Sequence, residues 1–163
     1  MIESLASWHP FIVHFAIAFG IGSAVFDVLD FFTNKKILEQ TGYILMITAF
    51  PFLLLAVLTG NLAEGFIRET SVTSTLDNHI VYANIAVWVF FAAGAWRVFL
   101  HLKRRYAGGK KIIYVFVITF AAVSIFLAAL HGGRIRQSES LRNAASTCVI
   151  LPVREHRLHE FGR

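Results

Sequence analysis

Two histidines, His9 and His14, open a run that carries no charged residue before Asp27. An ionisable or ligating side chain costs free energy in hydrocarbon, so one carried by an apolar segment is a functional candidate. Three more histidines, His79, His101 and His131, stand at the ends of other apolar runs. Neutral imidazole is the commonest protein metal ligand and a good axial ligand for haem iron. A bis-histidine haem needs two imidazoles on different helices at similar depth, with small residues where the macrocycle slides between them. His14, Ala18 and Gly22 share one helical face, as do His79, Ala83 and Ala86, and His131, Ala128 and Ser124. Small residues at this spacing also serve plain helix packing. The same histidines suit zinc or copper, with Asp77 or Glu64 as partners or added ligands.

The elements that must position these groups are membrane helices. The chain is 56% hydrophobic and 15% charged, a membrane composition. Four runs, at 10–32, 42–62, 79–100 and 112–131, are long enough to cross about 30 Å of hydrocarbon. They predict an all-α integral membrane four-helix bundle over 1–133, followed by a basic polar tail over 134–163. The first run is too long, and its flank too poor in Lys and Arg, for a cleaved signal peptide. Pro10 suits a first helical turn, Asp77-Asn78 a cap for the third helix, and Pro51 a kink in the second. Asp27 and Arg97 fall near the same ends of their helices and predict an ion pair. Trp8 and Tyr82 at one end, and Tyr43, Trp96, Tyr106 and Tyr114 at the other, read as interfacial aromatic belts.

Orientation follows from the basic residues, which favour the cytoplasmic side. Lys35 and Lys36 lie in the first connection, and Lys103, Arg104, Arg105, Lys110 and Lys111 in the third. The second connection has only Arg68, while Arg134, Arg136 and Arg142 in the tail oppose the trend. The balance places both termini outside, in the periplasm of a bacterium whose inner membrane the chain would span. His9, His14, His79 and His131 then gather near the outer face. His101 is alone at the inner end, about 33 Å from His79 at 1.5 Å per residue, and reads as an interfacial polar residue. His156 and His159 carry no usable spacing. The net charge of +5 marks topology and gives no reason to expect nucleic acid.

Several chemistries are missing from the motifs. The single cysteine, Cys148, excludes a C-x-x-C-H haem attachment and an intrachain disulfide. No H-E-x-x-H, Ser-His-Asp pattern or phosphate-cradling glycine loop is present. Thr59-Gly60-Asn61 with Glu64 ends the second run on the histidine side, where it either lines a quinone or haem-propionate pocket or simply forms a polar helix end.

His9-Pro10-Phe11-Ile12-Val13-His14-Phe15, Thr59-Gly60, His79 with Asn84, and Gly132-Gly133 together resemble a bacterial membrane family catalogued as a domain of unknown function. Its members open with H-P-x-x-V-H-F-P; Ala16 stands here in place of the last proline. The resemblance covers about residues 7–135. Family members occur alone or fused to Rieske iron–sulfur or c-type cytochrome domains, which implies an electron-transfer setting. After Gly133 the family's aliphatic-aromatic stretch and further His-Gly are replaced by Arg134-Ile135-Arg136-Gln137-Ser138.

The reading is therefore a membrane electron-transfer protein of the b-cytochrome type, a non-catalytic subunit rather than a stand-alone enzyme. It carries one or two haem b groups near the outer face. His14 and His79 are the first axial pair, with His131 and His9 as a second pair or alternates. Its expected partners are the lipid bilayer, a larger respiratory membrane complex or a periplasmic cytochrome or iron–sulfur protein, and a quinone. The rival readings are a copper or zinc site on the same histidines, and a cofactor-free structural or assembly subunit.

Overall fold

A computed structural model describes residues 8–67 and 73–150; the remainder, including Arg68, His156 and His159, lies outside the described residues. The described residues form four helices: α1 (His9–Thr33), α2 (Lys36–Ile67), α3 (Thr73–Leu102) and α4 (Gly108–Ile150). Each contains a segment long and apolar enough to cross a membrane. Within those segments most side chains are not buried in the bundle, which is the pattern of a small bundle that turns apolar faces to lipid. Pro10 occupies the first turn of α1, where its missing N–H leaves no bond unmade. Asn34 ends α1 in the left-handed region (φ 50°), and its N–H returns to the carbonyl of Asp30 at 2.8 Å.

The helices outrun the expected boundaries. α3 begins at Thr73, so Asp77-Asn78 lies inside its first turns instead of capping it, and α2 continues through Pro51 and past Thr59-Gly60 to Ile67. α4 does not stop at His131; it runs through Gly132-Gly133 to Ile150. The stretch read as the start of a tail holds Arg, Ile, Gln, Leu and Ala and no proline before Pro152, so nothing after the glycine pair breaks the helix.

The two hairpins repeat one another. α1 buries Ala16, Gly20, Ser23, Ala24, Asp27 and Asp30. α3 buries Ala86, Phe90, Ala93, Gly94, Arg97 and Leu100, each of them 70 positions later. Gly42, Met46, Ala49, Leu53 and Ala63 of α2 are matched in α4 by Tyr114, Ile118, Ala121, Ile125 and Ile135, each 72 positions later. Most buried positions coincide in this register, with Thr59, Ser124 and Ala128 excepted, while their side chains differ in type. The architecture is that of two parallel repeats, the arrangement expected about an axis along the membrane normal.

The symmetry is broken at the seams. α1 packs on α2 and α3 on α4, and the hairpins join chiefly through α1 against α4; α2 and α3 barely approach. Aromatic side chains bridge that wider seam. Phe50 of α2 contacts the rings of Phe90 and Phe91 at 5.8 and 4.9 Å, and Tyr43 stacks on His101 at 4.4 Å. A Cβ at Gly94 would lie 2.2 Å from Cζ of Phe50, so this glycine admits the ring. Gly94→Ala is expected to cost about 1–3 kcal/mol by overpacking, and Phe50→Leu in the same chain to recover most of it. Thermal unfolding in detergent reads both; no recovery in the double variant would mean that the clash is not the cause.

Candidate functional site: a histidine pair and a buried ion-pair network

His9 sits in the first turn of α1, half-buried against α2. Its Nδ1 lies 3.0 Å from Thr59 Oγ1. The Thr59 hydroxyl donates its own proton to Leu55 O at 2.8 Å, so it accepts from His9 Nδ1–H. The imidazole lies against Gly60, where a Cβ would approach Cε1 to 3.0 Å. The second hairpin repeats this arrangement. His79 is half-buried near the start of α3, its Nδ1–H donates to Ala128 O of α4 at 2.8 Å, and its ring lies against Gly132.

His9 and His79 occupy equivalent positions of the repeat, as do Gly60 and Gly132. Both rings lie at the same end of the bundle, each against a glycine of the helix that packs on its own. In both, the hydrogen bond at Nδ1 orients the ring and, in its neutral form, leaves Nε2 as the nitrogen with a free lone pair. This is how proteins orient a ligating imidazole.

Of the other sequence candidates, His131 occupies the position equivalent to Thr59. It is half-buried, donates Nδ1–H to Leu127 O at 2.8 Å, and places its ring 5.2 Å from that of Tyr82. His14 is exposed, on the face equivalent to Asn84, and its Nδ1–H turns back to the carbonyl of Pro10. The structure thus places His9 and His79 at equivalent half-buried positions at one end of the two hairpins and leaves His14 exposed. Depth in the run favours His14, whereas spacing favours His9, because His9 precedes Asp27, and His79 precedes Arg97, by the same 18 residues. Among the described residues, no group of three or more His, Cys, Asp or Glu side chains is placed to hold a metal ion.

The opposite end holds the expected ion pair, with Asp27 Oδ1 3.4 Å from Arg97 Nη2 and both side chains fully buried. Around it is a network that single residues did not announce. Tyr114, read as part of an aromatic belt, is instead fully buried and donates to Asp27 Oδ2 at 2.9 Å. The Arg97 guanidinium lies 3.0 Å above the Tyr106 ring, a cation–π contact, and Nη2 also donates to Glu39 O at 3.4 Å. Lys111 bridges α4 to α1, with Nζ 2.9 Å from Asp30 Oδ2 and 3.2 Å from Asn34 Oδ1. Gly42 is required beside Asp27, because a Cβ there would meet Asp27 Oδ1 at 2.6 Å.

Burial first, and the Asp27 charge second, push the Tyr106 hydroxyl well above the ordinary tyrosine range. A raised folded-state value means that neutral Tyr106 stabilises the fold fully below the unfolded value of about 10. That contribution is lost as pH climbs toward the folded value. Comparing the 295 nm titration of the wild type with that of Tyr106→Phe should therefore show no difference through pH 10–11. A difference band in that window would mean that Tyr106 is exposed.

No curated protein and no solved structure matches the chain. Residues 6–145, which take in all four spans and both polar clusters, match a family described as predicted membrane proteins, DUF2231, and the chain belongs to that family.

Proposed function

We propose that this protein is a membrane electron-transfer protein of the b-cytochrome type, with haem iron held between His9 and His79. One observation carries the reading: two repeat-equivalent imidazoles at one end of the bundle, each with Nδ1 committed to an oxygen of the neighbouring helix. Haem when bound supplies reversible one-electron chemistry at its iron. Two imidazoles are enough to hold a haem, so His9 and His79 would suffice as its protein ligands. A bare zinc or copper ion calls for three or four protein ligands, a demand that the described residues do not meet. This favours haem over zinc or copper.

The chain's own part is to orient the two ligand rings, through Thr59 and Ala128. It also keeps small buried residues, Ala16 and Ala86, two turns inward on the same faces. His131, with Tyr82 beside it, is the alternate ligand or a neighbour that tunes the site. The excess of basic residues in the first and third connections supports both termini facing the periplasm of a bacterial inner membrane, with the site near the outer face. A periplasmic cytochrome or iron–sulfur protein, or a larger complex with a quinone donor, is the corresponding redox partner.

The test is a reduced-minus-oxidised spectrum of detergent-purified chain, with pyridine haemochrome quantitation and metal analysis. One b-type haem per chain is expected. A colourless preparation from cells with ample haem would overturn the reading; stoichiometric zinc or copper would move it to a metal site, and co-purified subunits to an assembly role.

A further inference from the structure

We propose that the cavity at the ion-pair end receives the headgroup of a zwitterionic glycerophospholipid, with one acyl chain along the neighbouring groove between α1 and α4. The cavity has a volume of about 300 Å³. Its rim is made where the spans end, by Asn34, Lys36, Gly108 and the connection bearing Tyr106, which is the depth of lipid headgroups. Lys36 and Lys111 line it. Tyr106 also lines it, and its buried hydroxyl has no hydrogen-bond partner. Against the Tyr106 ring lies the fully buried Arg97 guanidinium, whose Nε and Nη1 are likewise unpartnered. Buried donors without acceptors cost about 1–3 kcal/mol each, and a phosphodiester supplies the acceptor that Tyr106 lacks.

The carboxylates in the lining decide the headgroup. Asp30 is already paired with Lys111, and Lys36 and Glu39, neighbours one turn apart on α2, give the rest of the lining mixed sign. That combination suits a phosphate and an ammonium together better than a second anion. The acyl half has its own place. Asp30 and Lys111 line the cavity, and the next residue in each helix, Phe31 and Ile112, lines a groove of about 500 Å³ whose walls are almost wholly apolar. Inorganic phosphate fills only the polar half. A quinone matches the groove but gives Lys36 no charge to answer.

The experiment uses full-length chain stripped of lipid in detergent and follows thermal unfolding against four additions: phosphatidylethanolamine, diacylglycerol, inorganic phosphate and a short-chain quinone. Phosphatidylethanolamine is expected to raise the midpoint by several degrees and to saturate near one phosphorus per chain. Tyr106→Phe, which keeps the ring on Arg97, combined with Lys36→Gln, is expected to weaken that response about tenfold. Tyr106→Phe alone should weaken it by a smaller factor. An equal response to diacylglycerol, an undiminished response in both variants, or stabilisation by phosphate alone or quinone alone would overturn the assignment.

Discussion

Arg97→Met is expected to lower the unfolding free energy by about 3–5 kcal/mol, the usual result of removing one partner of a buried ion pair. The substitution keeps a long apolar stem between Tyr106 and Tyr114 but leaves Asp27 with no countercharge inside the bundle. The loss comes from the stranded carboxylate more than from the missing attraction. A second substitution that removes the charge should therefore recover much of it. Asp27→Asn is the appropriate partner, because its amide oxygen still accepts from the Tyr114 hydroxyl that now reaches Asp27 Oδ2 at 2.9 Å. The double variant is expected to lie within about 1–2 kcal/mol of the wild type, since replacing a whole buried pair is often nearly neutral. Unfolding in detergent, followed by helical ellipticity, measures both. A double variant no more stable than Arg97→Met would mean that Arg97 acts through its stacking on Tyr106 and not through charge.

The membrane class, the four spans and the Asp27–Arg97 pair are legible from the chain because each rests on a strong local cost. Apolar runs of this length have few other solutions, and two opposite charges at one depth in hydrocarbon seek each other. The repeat is harder to read, because its paired positions have changed type: Gly20 with Phe90, Gly42 with Tyr114, Asp27 with Arg97. Such differences in type hide the repeat from residue matching, while the burial pattern shows it. Tyr114 shows the same limit. A tyrosine near the end of a span reads as an interfacial anchor, and only the arrival of Asp27 from another helix turns it inward. Gly132-Gly133 reads as a helix end, yet in α4 Gly132 has a packing reason, since His79 lies against it. The order of the histidines depends on the same fact. Depth along one helix favours His14, whereas the register of two repeats favours His9.

That difference makes the histidine variants the sharpest comparison available. His9→Ala and His79→Ala are each expected to reduce haem per chain at least tenfold, or to convert a low-spin bis-histidine spectrum to a high-spin one if a single ligand holds the group. His14→Ala should leave content and spectrum unchanged, because its side chain is exposed and bonds only within its own first turns. Thr59→Val separates ligation from orientation. It removes the oxygen that receives His9 Nδ1–H at 3.0 Å while leaving the imidazole in place. Loss of such an outer partner typically costs 10–100-fold in metal affinity, so Thr59→Val should bind haem more weakly with its spectral type retained. The repeat sets the control: His79 finds its acceptor in the main chain at Ala128, so no side-chain change in α4 should reproduce the Thr59→Val effect by that route. If His14→Ala loses haem while His9→Ala keeps it, the axial pair is the deeper one, and the symmetry of the two hairpins does not extend to the iron.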